Sequence, residues 1–266
     1  MNWEFLSSNL SPEALQALKD VSESNANATE ESENSTEPQI IDRNLTANSV
    51  FKKKDYWETR FQSEDSYEWL VSYENVRSYL EMSVKKSDKI LVVGCGNSPF
   101  SNDLYDGGFE NIVNIDFSAV VIEKMAIENG DTRPKMQWIC MDMLQLDFPD
   151  ASFDVVIDKA AMDAIMVDEK DVWDPDQSII NDADRMCYGI TRVLTYGGIF
   201  FQISFAQPHF RTKYLMGYHA ESSREIDPYK SYSGNAERYS WNLDYSSLAI
   251  ENGCLDFFLY KMIKFL

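Results

Sequence analysis

The chain has 266 residues, of which 44% are hydrophobic, and this is enough for one large folded domain with an appended segment. Its formal charge of −20 at pH 7 argues against DNA or RNA as the main ligand, because an acidic surface repels phosphates. A basic protein is the better-matched kind of partner.

The cysteines and the apolar runs further limit the kind of protein that this chain can be. The four cysteines are spread singly along the chain, and together with only two histidines they make no paired metal-binding spacing. We therefore expect reduced thiols, no metal site and a cytoplasmic location. No cationic start followed by an apolar run predicts a signal peptide, and no stretch approaches the roughly 20 apolar residues of a membrane span.

Residues 1–50 differ in composition from the rest. Residues 11–18 predict a short helix with Ser11 as its cap and Pro12 in its first turn. Residues 21–39 are mostly Ser, Asn, Thr and Glu, a composition typical of disorder. The segment carries a charge of −7, which suits either a solubilising tail or a docking arm for a basic partner. The folded domain is expected to span 51–266.

That domain begins with an aromatic-rich stretch and continues with alternating strands and helices. Tyr56–Phe61 and Tyr67–Leu70 predict either a packed N-terminal helix or a lid over a ligand, because aromatic faces cover cofactors well. One helix follows the cap Ser118, and another is expected to stop at Gly197-Gly198. Strands are predicted at 90–93, 112–116, 136–140, 153–158 and 199–204.

The C-terminal part follows a different pattern. Two further strands, at 239–245 and 255–262, have no convincing helix between them and predict an antiparallel hairpin at the sheet edge. Residues 206–238 predict a long excursion without clear periodicity. The strands before it alternate with helices, so we expect an α/β, Rossmann-like fold whose mostly parallel sheet is covered on both faces.

A glycine turn and a distant acid predict a nucleotide-like cofactor. Gly94-Cys95-Gly96 follows a buried strand, and small residues there let the backbone approach a ligand. Asp116 ends the next strand, about 20 residues on, where a carboxylate can hold ribose hydroxyls. A dinucleotide motif would need a third glycine, but Pro99 occupies that position, which disfavours NAD.

More polar residues follow the next two strands. Asp142 and Met143 come directly after the third strand, where an acid can accept from an adenine amino group while the thioether packs on the ring. Asp158, Lys159 and Asp163 follow the fourth strand beside the same crevice and are the polar candidates at a reaction centre. Asp163 could equally be an acid in the first turn of a helix.

These motifs, in one order, resemble those of class I S-adenosylmethionine-dependent methyltransferases, and within that class the lysine methyltransferases of elongation factor 1-alpha. The resemblance covers residues 55–266. The motifs that carry it are Tyr56-Trp57, Gly94-Cys95-Gly96-Asn97-Ser98, Asn114-Ile115-Asp116-Phe117-Ser118, Met141-Asp142-Met143, Phe148 to Val156, Asp158-Lys159, Met162-Asp163-Ala164 and Pro208-His209-Phe210-Arg211-Thr212.

The resemblance implies a seven-stranded methyltransferase sheet, S-adenosyl-L-methionine as cofactor, and a protein substrate that would be elongation factor 1-alpha. Asp158 or Asp163 would orient the substrate amine or receive its proton. The cofactor contacts it implies are Trp57, Phe61 and Trp69 in a lid, Gly94 and Gly96 in the loop, Asp116 and Phe117 at the ribose, Asp142 and Met143 at adenine, and Lys159 near the methionine end.

The chain departs from the family pattern at two places. Phe61 stands where relatives usually have Tyr, and Ala160-Ala161-Met162 stands where they typically have Gly-Thr-Leu. The second departure keeps open a non-catalytic binding protein of the same fold. A methyltransferase that acts on a small molecule or on another protein is the remaining alternative, because this fold serves many acceptors.

Overall fold

The computed structural model describes residues 47–167, 172–218, 234–248 and 256–265. The helix predicted at 11–18 and nearly all of the acidic segment lie outside these residues, as does the middle of the predicted excursion. No helix among the described residues is both long and apolar enough to cross a membrane.

Helices and strands alternate as the periodicity predicts. A 3-10 helix at Ala47–Lys52 precedes α1, and a second at Glu237–Tyr239 precedes β7. The helices are α1 (Lys54–Ser63), α2 (Tyr73–Glu81), α3 (Phe100–Asp106), α4 (Ala119–Asn129), α5 (Ala161–Ile165), α6 (Gln177–Val193) and α7 (Pro208–Leu215). The strands are β1 (Ile90–Val93), β2 (Ile112–Asp116), β3 (Gln137–Cys140), β4 (Phe153–Lys159), β5 (Leu194–Ser204), β6 (Gly234–Ala236), β7 (Trp241–Leu248) and β8 (Phe257–Lys264).

The strands join one mixed sheet in the order β3-β2-β1-β4-β5-β8-β7-β6. Strands β1 to β5 pair in parallel, and β8 pairs antiparallel with both β5 and β7. This confirms the predicted Rossmann-like sheet with antiparallel C-terminal strands. The short β6 pairs with β7 and adds an eighth strand to the seven expected. The strand order reverses beside β1 and β4, so their carboxyl ends open a crevice.

Alternate residues of β1 explain why both sheet faces are covered. Leu91 and Val93 pack on the face covered by α6, whereas Ile90 and Val92 pack on the face covered by α2, α3 and α4. A strand with two buried faces needs a continuous apolar run, and all four residues of β1 are buried. The crevice therefore rests on a rigid, fully packed strand.

The fifth strand differs from the prediction. It begins at Leu194 directly after α6, so Gly197-Gly198 lies inside β5 and does not end the helix. Phe153 pairs with Leu194 while Val155 pairs with Ile199, so residues 195–198 form a bulge. Gly197 has φ +77°, and a Cβ on Gly198 would lie 2.9 Å from the Thr195 carbonyl oxygen, so the bulge requires glycine.

Candidate active site

A cavity of 470 Å³ opens at the carboxyl ends of β1, β2 and β4. Its size suits a small organic ligand or nucleoside-like cofactor. Every residue that the sequence assigned to cofactor binding lines this one cavity: Trp57, Phe61, Trp69, Gly94, Gly96, Asp116, Phe117, Asp142, Met143 and Lys159. Of the two predicted catalytic acids, Asp163 lines the cavity and Asp158 does not.

The glycine loop forms the floor of the cavity. Gly94 and Gly96 have φ +58° and +54°, a region that glycine adopts readily. A Cβ on Gly94 would lie only 2.4 Å from the Cβ of Ala161 in α5. The loop thus packs tightly against α5 and leaves its backbone facing the cavity.

Asp116 ends β2 with a nearly buried carboxylate. Its Oδ2 accepts from the Gly96 amide at 3.0 Å, and its Oδ1 accepts from the Ser118 amide at 2.9 Å. Burial raises the pKa of Asp116 to about 6, although both amide hydrogen bonds oppose the rise. The carboxylate is held in one orientation and retains lone pairs for further donors.

A carboxylate from α1 supports the helix that follows Asp116. Glu58 accepts from the Ser118 hydroxyl at 2.9 Å and from the Ala119 and Val120 amides at 3.2 and 3.3 Å. The Ser118 hydroxyl also accepts from the Val121 amide, as its predicted capping role requires. Glu58 therefore ties α1 to the start of α4.

Aromatic side chains from the N-terminal segment cover the cavity. We call Phe51, Trp57, Phe61 and Trp69 the aromatic lid. Trp57 stacks on Phe61 with ring centres 5.5 Å apart and meets Trp69 edge-on at 6.0 Å. Its indole nitrogen donates to the Phe51 carbonyl at 2.7 Å. The buried Arg60 guanidinium lies 4.9 Å from the Trp69 ring centre, and this cation–π contact stabilises the position of the lid.

Lys159 brings a buried cation to the cavity. Its ammonium donates to Glu68 Oε1 and to the Trp69 carbonyl oxygen. Burial lowers the pKa of Lys159, while Glu68 opposes that change. Glu68 Oε1 also accepts from the Ser98 hydroxyl at 2.7 Å, whereas its buried Oε2 has no hydrogen-bond partner among the described residues. A ligand carrying both charges, as an amino acid end does, would complement this pair.

Asp142 and Met143 lie on the wall beyond β3. Asp142 is exposed, and its Oδ1 accepts from the Leu144 amide at 2.8 Å, which fixes the loop. Met143 and Phe117 line the cavity close by and offer apolar surface. The arrangement fits a flat, partly polar ring held between apolar groups.

Asp158 lies outside the cavity and supports the start of α5. It is fully buried, its Oδ1 accepts from the Ala161 amide at 2.8 Å, and its Oδ2 accepts from the Gln202 side chain at 3.0 Å. Burial raises its pKa to about 7. The carboxylate thus caps α5 and does not reach the cavity, so this geometry does not support the proton-transfer role that the sequence suggested for it.

Asp163, on α5, lines the cavity together with Ile165, Val167 and Phe205, and we call this part of the cavity its reaction side. Its Oδ1 accepts from the Ser204 hydroxyl at 2.7 Å and from the Arg211 guanidinium. Its Oδ2 is buried and has no hydrogen-bond partner among the described residues. Burial raises the pKa of Asp163, while Arg211 opposes the rise. The Phe205 amide also lowers the pKa of this carboxyl by hydrogen bonding, so the group is held from several sides.

Sequence reasoning missed several residues that support the site. Glu58, Glu68, Ser204, Gln202 and Arg211 were given no role, because each acts on a residue far away in the chain. Glu68 lies inside the aromatic stretch and Arg211 inside the motif that starts at Pro208, so the motifs marked their neighbourhoods. The partner of each of these residues is identified only by the contacts in the folded structure.

Comparison with known proteins agrees with this geometry. A family described as "Methyltransferase domain" matches residues 91–202. EEF1A lysine methyltransferase 4 of Mus musculus is 35% identical over 180 residues, which cover 66% of this chain and 69% of that protein. The chain belongs to this methyltransferase family. The departures at Phe61 and Ala160 thus occur within a methyltransferase.

A second group of relatives is longer. The eEF1A lysine and N-terminal methyltransferase of Mus musculus is 44% identical over 165 residues, which cover 61% of this chain but only 23% of that protein. This methyltransferase therefore spans about a quarter of that relative's length. The solved N-methyltransferase NodS from Bradyrhizobium japonicum, in complex with S-adenosyl-l-homocysteine, covers 79% of this chain and 97% of its own at a TM-score of 0.50 and 14% identity. That likeness concerns the fold.

Proposed function

We propose that this methyltransferase transfers a methyl group from S-adenosylmethionine to the ε-amine of a lysine in elongation factor 1-alpha. The observation that carries the proposal is the single cavity that is lined both by a nucleoside-type cradle and by the carboxyl residue Asp163. The substrate rests on the relatives, whose names are those of elongation factor lysine methyltransferases.

The cofactor side of the cavity has the chemistry that S-adenosylmethionine requires. Asp116 would accept from the ribose hydroxyls, and Asp142 with Met143 would hold adenine. Lys159 and Glu68 would hold the charged amino acid end, below the aromatic lid. When bound, the cofactor supplies a methyl group on a sulfonium, so the protein has mainly to align the acceptor and exclude water.

The amine side depends on Asp163. A lysine enters as an ammonium with a pKa of about 10.4 and must lose a proton before its nitrogen can attack. Apolar walls from Ile165, Val167 and Phe205 would lower that pKa by removing water. Asp163 would accept a hydrogen bond from the amine through Oδ2, so that the nitrogen lone pair points along the cavity. Arg211 and Ser204 would hold the carboxylate in that orientation.

The test is label transfer from radiolabelled S-adenosylmethionine, first to purified elongation factor 1-alpha and then to a lysate that lacks this enzyme. We expect one labelled protein, with peptide mapping placing the label on a lysine. Asp163→Asn should lower kcat by about 100-fold because it removes the anionic acceptor. Its affinity for S-adenosylhomocysteine should stay unchanged, which also shows that the variant folds.

Two other outcomes would overturn the proposal. Label in a small molecule or in a different protein would assign another acceptor. Cofactor binding without transfer to any acceptor would identify a binding protein. An Asp163→Asn variant with the parent kcat would remove Asp163 from the amine side while leaving the reaction itself in place.

A further inference from the structure

We propose that a partly exposed aromatic surface with one acidic residue, beside the cavity, binds the protein substrate next to its target lysine. This surface, the docking patch, consists of Trp173, Asp174, His209 and Phe210. The inference rests on the proposed function, because it assigns the substrate surface of the same site. The cofactor contacts do not depend on it.

The docking patch is built from touching rings. Trp173 is 71% exposed, and its ring meets Phe210 edge-on with centres 5.8 Å apart. The His209 ring lies 3.8 Å from Phe210. A single exposed apolar side chain is ordinary on a protein surface, but a contiguous aromatic cluster with a large exposed indole is typical of binding surfaces.

The docking patch is fixed in place before any partner arrives. The ammonium of Lys213 donates to the Val172 carbonyl oxygen, which ties the segment that carries Trp173 to α7. Pro175, two residues after Trp173 in the chain, is buried and so anchors the segment at its other end. Burial, with a contribution from Lys213, lowers the pKa of His209, so its ring is neutral at pH 7. A preformed surface loses little conformational entropy on binding.

Helix α7 connects the docking patch to the reaction side of the cavity. Arg211 follows Phe210 and turns inward to bind Asp163, and its guanidinium also lies 2.5 Å from the Met166 sulfur. One face of α7 therefore supports the cavity wall while Phe210 and His209 lie on the outer side. We expect a chain segment on the docking patch to extend a lysine along this helix toward Asp163.

Charge selects the occupant. Asp174 is exposed beside Trp173, and the chain as a whole carries a formal charge of −20. A lysine-bearing segment of the substrate complements this arrangement. A second copy of this chain would bring a further formal charge of −20 and be repelled. The structure therefore favours the substrate over self-association.

The experiment compares Trp173→Ala with Tyr196→Ala in the full chain. Tyr196 is a suitable control because it is 65% exposed and lies in the β5 bulge, at the opposite end of the strand from the cavity. Affinity for purified elongation factor 1-alpha is measured with S-adenosylhomocysteine present, and KM and kcat are measured separately. We expect Trp173→Ala to raise Kd and KM by about tenfold or more, with kcat and cofactor affinity unchanged.

The control and charge variants sharpen the result. Tyr196→Ala should match the parent, and Asp174→Asn should weaken binding by a smaller factor that disappears at high salt. Parent-like Kd and KM in Trp173→Ala would overturn the inference, as would a change in its self-association measured by sedimentation. Failure of the proposed function looks different, because the parent chain itself would then leave elongation factor 1-alpha unlabelled.

Discussion

Asp116 combines two opposing demands at one residue. Its carboxylate is nearly buried, which favours the protonated form, yet the ribose hydroxyls that we propose it binds are held best by the ionised form. With a pKa of about 6 the group is ionised at pH 7 and becomes neutral as the pH falls through that value. Because this pKa is raised above the usual value, the ionised carboxylate also lowers the stability of the free protein as pH rises toward 6.

We predict that cofactor affinity falls as the pH drops through the pKa of Asp116. The dissociation constant of S-adenosylhomocysteine, measured by calorimetry between about pH 5 and about pH 8, should rise by up to tenfold per pH unit below about 6. Asp116→Asn should bind more weakly throughout and should lose this dependence. An equally steep pH profile in Asp116→Asn would assign the titration to another group.

Ala160 belongs to one of the two places where the sequence departs from the expected family pattern, and its backbone conformation is unusual. Its φ is +68°, in the left-handed region that glycine adopts without strain. The backbone conformation that glycine favours is thus kept although the residue is alanine. The cost of holding alanine there is about 1 kcal/mol.

We therefore expect Ala160→Gly to raise the free energy of unfolding by roughly 0.5–1 kcal/mol, since strain relief exceeds the entropy that glycine adds to the unfolded chain. The matched control is Ala126→Gly, which makes the same change inside α4 and should lower stability by about 1 kcal/mol. Denaturant titration measures both. A destabilised Ala160→Gly would show that the alanine methyl makes a packing contact worth more than the strain.

At the scale of elements, the short helix α5 organises the reaction side of the site. It carries Asp163 and packs Ala161 against Gly94, and its first amides are satisfied by Asp158. Helix ends leave amides without internal partners, so a five-residue helix depends strongly on such a cap. Asp158 therefore helps to position Asp163 by holding the first turn of α5, while Ser204 and Arg211 hold its side chain.

This division of roles predicts different outcomes for two substitutions. Asp158→Asn keeps an acceptor for the Ala161 amide, and Gln202 can turn its side chain because its Oε1 has no partner among the described residues. We expect this variant to keep kcat within about threefold, far from the 100-fold loss of a missing acid–base group. Asp158→Ala should lower the free energy of unfolding by about 1–2 kcal/mol.

Steady-state kinetics and denaturant titration on both variants check this expectation. A large loss of kcat in an Asp158→Asn variant of unchanged stability would show that Asp158 takes part in the reaction. Equal stability of Asp158→Ala and the parent would show that the cap is dispensable.

Across elements, what could be predicted depends on the range of the interaction. Strand β1 was predicted at its observed bounds because a buried apolar run is a local signal. The bulge in β5 was not, because a glycine pair after a helix looks the same whether it ends the helix or bends a strand. Asp116 and Asp142, which follow the ends of parallel strands, line one cavity because such strands share one carboxyl edge, whereas Asp158 at the end of β4 does not line it.

The side-chain hydrogen bonds that distinguish Asp158 from Asp163 could not be predicted from the sequence. Asp163 owes its position to Ser204 and Arg211, and Lys159 owes its partner to Glu68, all distant in the chain. The spacing of two acids on one segment does not tell which of them caps a helix and which faces a ligand. The directions of the two side chains depend on the turn at Ala160, which has a left-handed backbone conformation. Alanine rarely adopts this conformation, so the sequence gives no sign of the turn.

At the scale of the whole molecule, the charge of −20 bears on the encounter with substrate. A strongly acidic enzyme attracts a lysine-rich surface over distances comparable to the Debye length, which speeds association more than it strengthens the final complex. Residues 1–50 contribute −7 of this charge, so both that segment and the folded domain could account for the attraction.

We predict that kcat/KM for elongation factor 1-alpha falls by about tenfold as ionic strength rises from about 0.01 M to about 0.15 M, which shortens the Debye length from about 30 Å to about 8 Å. Since the larger share of the charge lies in 51–266, neutralising Glu30, Glu31 and Glu33 to Gln in the full chain should leave the salt slope nearly unchanged. A flattened slope in that triple variant would assign the attraction to the acidic segment, and a salt-independent parent would remove long-range attraction from the mechanism altogether.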